Sequence, residues 1–346
     1  MPLGLHTAND IANAALTFYV RGKAMAQTIQ DKPLLAWLRK NGQTFPSGKD
    51  NVSLPVKGTY MSDTTGFLQG YSEDDALLFT QSENIQRASY PWKELHAGLI
   101  ISWTELKKDG ITVVDHQRTS EHSRVELTRL TGLLQDRLDD YAESWARAIN
   151  SMLWRDGTQD AKAIPGVRSI LVDTVGSGAI GGLDRGTYPF WNHRIALGIA
   201  VSASGQTLTK KLRSEVRQLR RYGGKPNKVL AGSGFIESAE VEVTEKGVYT
   251  QEGFTRGEAT DITVANIRMR GVGEFEYDPT LDDLGLTKYA FFMDSRRLTL
   301  RPMEGEDNKM LTPERPYNYM VFLKSMTYTG ALVANQLNCH GVYSVS

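Results

Sequence analysis

The sequence predicts an α+β fold, and three features carry that expectation. A single helical stripe runs unbroken from Arg124 to Trp154. Short β-branched or alternating segments precede and follow it, as in a mixed domain. Thirty-two glycines punctuate the chain, which implies many turns, loops and short strands.

Length and composition bound the rest. At 346 residues with 40% hydrophobic content, the chain can bury a sizeable core and is long enough for two domains or one domain with extensions. Lys plus Arg equals Asp plus Glu at 40 each, so no overall basic field exists for holding nucleic acid, and near-zero net charge suits self-association. The lone Cys339 excludes an internal disulfide and a thiol-rich zinc site, and suits a reducing cytosol. No apolar run approaches the roughly 18 residues of a membrane span, and the opening MPLGLHTAND has neither the basic nor the apolar region of an export signal.

In chain order, residues 1–48 read as an arm, with scattered apolar positions over 11–20 and a short helical cluster of Leu34, Leu35, Trp37 and Leu38 after Pro33. Residues 52–60 and 84–92 read as two limbs of a hairpin. The stretch between them is longer than an ordinary hairpin loop and suits a partner-ordered role. Short strands follow at 98–106 and 110–114 around the turn KKDG. Next comes the long helix: Leu127, Leu130, Leu134, Leu138, Tyr141, Trp145, Ile149 and Met152 step by three or four, Ser123 and Glu126 form a capping box, and Gly157 stops it. At 1.5 Å per residue it spans roughly 45 Å. A strand is expected over 169–175 and a second helix over 208–222, capped by Thr207 and ended by Gly223. Further strands are expected at 228–231, 238–244, 262–267, 288–293, 298–300, 319–328, 331–337 and 339–345.

Gly176, Gly178 and Gly181 spell G-x-G-x-x-G, the spacing of a dinucleotide-binding loop. That chemistry needs a helix N-terminus after the glycines and an acid about twenty residues on. Instead Gly182, Gly186 and Pro189 follow, and Ile199, Ala200 and Val201 occupy the acidic position. The segment reads better as flexible glycines leading into a stiff aromatic cluster, Tyr188, Phe190 and Trp191, which wants burial at a packing junction. His6, His96, His116, His122, His193 and His340 form no compact ligand pair, and Ser233 in AGSG lacks nucleophile-elbow spacing. No catalytic set, metal site or cofactor is expected.

Residues 208–222 carry Lys210, Lys211, Arg213, Arg217, Arg220 and Arg221 against Glu215, a net +5. Residues 237–261 carry Glu237, Glu240, Glu242, Glu245, Glu252, Glu258 and Asp261 against Lys246 and Arg256, a net −5. The two stretches fit docking between copies of the chain, contact with nucleic acid, or two solvated faces.

The words RAINSMLW, then Asp156 and Gly157, then IPG leading to Ile170 and Leu171, and finally GGLDRGTYPFW ending at Trp191 resemble the major capsid proteins of tailed phages. That fold is shared with the herpesvirus shell floor and encapsulins. The last phrase is similar to the family's G-G-I-D-R-S-x-Y-P-x-W signature, with Leu183 for Ile and Gly186 for Ser. The specific words lie in residues 145–194; the order of elements extends the likeness over nearly the whole chain. The resemblance implies an N-terminal arm (1–48), an extended hairpin loop (49–92), a peripheral domain with the long spine helix (93–195, returning at 319–346) and an axial domain (196–318). On that plan the glycines of 176–182 are a hinge-like connection packed by Tyr188, Phe190 and Trp191. Lys210, Arg217, Arg221, Glu240 and Glu242 stand as candidate assembly residues. The implied function is an icosahedral shell of hexamers and pentamers around double-stranded DNA in the virion of a bacteriophage, assembled in the bacterial cytoplasm. A portal and a separate scaffold protein are the implied partners. An encapsulin-like protein compartment and an NAD-dependent enzyme are the alternatives.

Overall fold

The computed structural model describes residues 29–58, 60, 68, 70–76, 79, 85–108, 124–202, 204–245, 268–269, 273–310, 319 and 321–346, with backbone alone for 103, 105–106, 124–136, 243–245, 268–269, 273–274 and 322. The chain divides after Asp31, and every element below lies in the unit Lys32–Ser346.

Pro33 opens helix α1 (Pro33–Lys40), where its missing N–H costs nothing, and Arg39 and Lys40 close it on the negative end of the dipole. Its face of Leu34, Leu35, Trp37 and Leu38 is buried. These residues join the main core, so this part of the expected arm is integral to the subunit.

Three elements lead from there to the long helix: strands β1 (Asn51–Lys57), β2 (Ile85–Pro91) and β3 (Lys93–Ser102), then the short helix α2 (Trp103–Lys108). Helix α3 (Arg124–Trp154) has the expected bounds. Trp145, Ile149, Leu153 and Trp154 are buried, and Leu138, Tyr141 and Met152 half-buried. The Leu127, Leu130 and Leu134 side chains and the Ser123 cap lie outside the described residues. Gly157, at φ +90°, turns the chain out of the helix, and Pro165 packs 3.0 Å from where a Cβ would stand.

Two sheets carry the remaining strands. The first is six-stranded and mixed, in the order β6 (Arg194–Ile199), β14 (Gly341–Val345), β10 (Tyr289–Met293), β7 (Lys228–Ala231), β9 (Gly273–Tyr277) and β8 (Arg268–Met269). The β14–β6 and β7–β9 pairs are parallel. Helices α5 (Thr207–Arg220) and α6 (Ser233–Glu245) bury Leu208, Leu212, Leu219, Phe235 and Ala239 against it. The second sheet is built on the 14-residue strand β13 (Val321–Ala334). β13 pairs with β3 along Val321–Gly330, with β11 (Leu298–Pro302) along Gly330–Ala334, and with β12 (Lys309–Met310). Sheet membership thus divides residues 196–318 and 319–346 differently from the sequence reading. Strands β11 and β12 sit with β3, and β14 sits in the six-stranded sheet.

Three elements differ from the sequence reading. Residues 238–244 are helical within α6, where Phe235, Ala239 and Glu242 are buried at helical spacing while Val241 is exposed. The alternating Val and Glu imitated a strand, but packing follows the 3.6 period. Residues 169–175 form no strand. One helical turn, α4 (Val167–Ile170), drops Val167, Ile170 and Leu171 into the core, and the chain then runs irregularly. The expected strand at 98–106 begins earlier, at Lys93, and gives way to α2 at Trp103. In addition, β13 passes unbroken through Gly330, where the sequence suggests a break. A Cβ there would stand 2.8 Å from the Tyr328 ring and 2.9 Å from Arg301 O. The strands expected at 110–114 and 262–267 lie outside the described residues.

The last turn of α3 joins three segments distant in sequence. Asn150, fully buried, accepts from Leu35 N at 3.0 Å and donates to Thr280 Oγ1 at 2.7 Å. Trp154 Nε1 donates at 2.7 Å to Asp278 Oδ2. Asp278 also caps α7 (Pro279–Asp283) by accepting from Thr280 N. Burial pushes its carboxyl up, against the pull of those donors. Asn150→Ala strands a buried N–H and a buried hydroxyl together, so a loss of about 2–4 kcal/mol is expected in urea unfolding. An unchanged midpoint would show that the joint contributes nothing.

His193 and His340 are buried, and burial holds each imidazole at about 4. In the unfolded chain they protonate near 6.5. As pH falls from about 6.5 to 4 the unfolded state binds protons that the folded state refuses, so stability is lost through that window. The melting temperature should fall there, and His193→Gln should flatten the slope; an identical slope would refute the assignment.

Candidate assembly surface

Two short signals build the first part of this surface. β1 and β2 pair antiparallel in strict register from Asn51↔Pro91 to Lys57↔Ile85. At about 3.3 Å per residue the ribbon reaches some 23 Å. Val52, Val56, Ala88 and Tyr90 face inward, and Pro55 and Pro91 remove donors from its open edges.

The ribbon is seated on the signature segment. There β4 (Ala179–Ile180) and β5 (Leu183–Asp184) form a minimal hairpin whose turn, Gly181–Gly182, has φ of +58° and +78°. Both turn positions require the left-handed region, which only glycine enters cheaply. Gly181 O accepts from Ser89 N at 2.8 Å, and the Tyr90 ring lies 3.0 Å from a Cβ built on Gly181. Tyr90 then donates its hydroxyl to Ala334 O at 2.9 Å, and burial raises its pKa. Phe190 lies so close over Gly58, just past the end of β1, that a Cβ there would overlap its ring. Trp191 is buried with Nε1 donating to Ile180 O at 2.9 Å, while Tyr188 and Phe190 meet edge to face at 5.7 Å. Of the three aromatics expected at a domain junction, Phe190 thus packs at the loop end of the ribbon, and Trp191 braces the β4–β5 turn that meets Ser89 and Tyr90.

Arg185 explains the neighbouring glycines. Its guanidinium is buried and donates to Thr174 O at 2.6 Å, to Gly178 O at 3.3 Å and to Ser177 O, so loop 174–178 wraps around it. Gly176 and Gly178 take positive φ to make the wrap, and Asn192 Oδ1 accepts from Gly176 N. A phosphate cradle would turn N–H groups inward; this loop turns carbonyls toward a cation. No helix opens after Gly181, since β5 and a 3₁₀ turn at Pro189–Trp191 follow. The dinucleotide reading fails on both counts, and the expected hinge is a pinned loop. Sequence reasoning missed Arg185 although it stands inside the GGLDR phrase.

Beyond the root, the described residues of the long loop expose apolar side chains. Leu68 and Phe79 are 91% and 93% accessible, and Tyr60, Tyr71 and Ile85 are also exposed. Glu73, Asp74 and Asp75 lie on the same loop, which Asp75 locally closes by accepting from Ser72 N at 2.8 Å.

α5 forms the second part. Lys210, Arg213, Arg217, Arg220 and Arg221 are exposed, with Arg221 over the Tyr222 ring at 5.4 Å. Glu215 turns inward to Arg194 at 3.0 Å and Lys211 at 3.2 Å. The helix begins after Gln206, at φ +49°, with Thr207 already inside it, and its free N–H groups are capped from α6. Glu242, fully buried, accepts from Leu208 N at 2.9 Å and from Thr209 N at 2.8 Å. Burial opposes the charge, but these donors outweigh it and hold the carboxyl below the usual range. Glu242 is therefore an internal cap, unavailable to a neighbour as the sequence reading had it. Glu240 is half-buried on the same helix, and the acids beyond Glu245 lie outside the described residues. Among the described residues no three His, Cys, Asp or Glu converge as a metal site, and no helix is long and apolar enough to cross a membrane.

The two turn glycines give a paired test of the hairpin seat. Gly181→Ala and Gly182→Ala both strain a left-handed backbone, by about 1–2 kcal/mol each. Only Gly181 faces a neighbour, so its variant should lose measurably more stability in urea. Equal losses would remove the Tyr90 contact from the account.

No family model and no curated protein matches the sequence. Solved structures do match. A chain of the cyanophage A-1(L) capsid asymmetric unit superposes with a TM-score of 0.67 at 14% identity, covering 93% of this chain and 94% of that one. The capsid of Myoviridae phage XM1 gives 0.57 at 11% identity over 94% and 95%. The capsid of a native GTA particle gives 0.56 at 14% over 94% of each chain. Across nearly its whole length, the chain shares the fold of these phage and GTA-particle capsid chains.

Proposed function

We propose that this chain is the major subunit of an icosahedral shell that assembles as hexamers and pentamers around double-stranded DNA. The observation that carries the reading is the β1–β2 ribbon: firmly seated at its root, yet leading to a loop whose Leu68 and Phe79 are almost wholly exposed. Exposed apolar groups on so long a loop have the character of a contact waiting for a partner. The fold shared with three capsid chains points to another copy of the subunit as that partner. We assign the peripheral role to α3 with the β3, β11, β12 and β13 sheet, and the axial role to the six-stranded sheet with α5 and α6. A portal and a separate scaffold are partners supported by the sequence resemblance alone.

Replacing residues 62–82 with a short Gly-Ser turn tests this reading, because loop closure depends only weakly on length and the subunit's own stability should survive. Near-normal circular dichroism with loss of closed shells, by sedimentation and microscopy, is the expected result. Intact icosahedral particles from the shortened chain would refute the loop's role. Shells formed by the unaltered chain that enclose protein cargo and exclude DNA would favour the compartment reading.

A further inference from the structure

We propose that the outward face of α5 binds the phosphate backbone of duplex DNA. Lys210, Arg213 and Arg217 recur at three- and four-residue spacing, and the exposed Arg220 and Arg221 continue the row. At 3.6 residues per turn they fall on one face, opposite the buried Leu208, Leu212, Val216 and Leu219. Glu215 is the one acid in the helix, and it is buried and held by Arg194 and Lys211, so the outward face carries cations alone. Among the described residues no carboxylate pairs with Lys210, Arg213 or Arg217.

Geometry and chemistry both fit a polyphosphate. From Lys210 to Arg221 the row spans roughly 16 Å at 1.5 Å per residue. That equals the rise of about five phosphates along one DNA strand at 3.4 Å each. Arginine dominates the row, and its planar fork suits phosphate oxygens better than a point charge does. The chain as a whole is neutral, so the row is a local concentration of charge rather than general basicity. A second copy fits less well, because the acidic helix has Glu242 buried as the cap of α5 itself and Glu240 half-buried, which leaves Glu237 as the one exposed acid among its described side chains, against a row of basic ones. The proposal rests on the shell reading for one point only, that the duplex is the one enclosed; the face then looks into the shell.

The test is fluorescence anisotropy of the full chain with a labelled duplex of roughly 30 base pairs and arbitrary sequence, between about 50 and 200 mM salt. Phosphate contacts from Lys210, Arg213, Arg217 and Arg221 give an expected slope of about −4 in log affinity against log salt, unchanged when the sequence is scrambled. Lys210→Gln/Arg213→Gln/Arg217→Gln should lose at least about tenfold in affinity. Arg213→Lys/Arg217→Lys, which keeps the charge, should stay within about threefold and so separates lost charge from a damaged fold. Wild-type affinity in the neutralised variant would overturn the proposal. So would loss of shells with duplex affinity unchanged, which would assign the face to contacts between copies. Failure of the unaltered chain to form shells counts against the shell reading and leaves the anisotropy result to decide the binding face.

Discussion

The last turn of α3 is the constraint on which the subunit depends. Asn150 and Trp154 lie one helical turn apart and are both fully buried, so each polar atom they carry must find a partner inside. Asn150 finds α1 through Leu35 N and α7 through Thr280; Trp154 finds Asp278, and its ring packs 4.9 Å from Phe291 in the centre of the six-stranded sheet. One turn of helix thereby fixes the first described helix, the long strut and the larger sheet against one another. Apolar packing alone would tolerate sliding of those parts. Directional bonds at 2.7–3.0 Å do not.

The signature segment does the same for the hairpin. Its glycines, aromatics and Arg185 are parts of one device: the wrapped loop holds Arg185, the turn at Gly181 meets Ser89 and Tyr90, and Phe190 presses on Gly58. Among the described residues no carboxylate contacts the Arg185 guanidinium, so carbonyl dipoles carry the compensation, and burial lowers its pKa. On the shell reading proposed above, a rigid base would serve the loop beyond it, because every degree of freedom at the ribbon is amplified further along.

Much of this was legible in the sequence. The 3.6-residue stripe of α3, the Pro33 start of α1, the two limbs of the ribbon and the buried β7 and β10 follow from local pattern alone. What was not legible depends on partners far along the chain. Glu242 looks like a surface acid until α5 brings its N-terminus to the carboxylate, more than thirty residues upstream. Residues 169–175 are β-branched and read as a strand, but the core drew Val167, Ile170 and Leu171 inward and left no edge for pairing. At the candidate surface, the aromatic trio and the basic helix were found by residue type. The role of Arg185 was hidden because its partners are main-chain carbonyls, which residue identity does not encode.

The position of β14 has a consequence for synthesis. This strand, Gly341–Val345, lies between β6 and β10, so it is an interior strand of the larger sheet, buried along its whole length. Synthesis must therefore reach Gly341–Val345 before the sheet can close, well after β1 and β2 have emerged. Until then β6 and β10 lack the strand that joins them, and the face that carries α5 and α6 has no finished support. Closure of the larger sheet thus waits on the parallel pairing of β6 with β14, two strands far apart in sequence, and pairing of that kind is a slow and late step in folding.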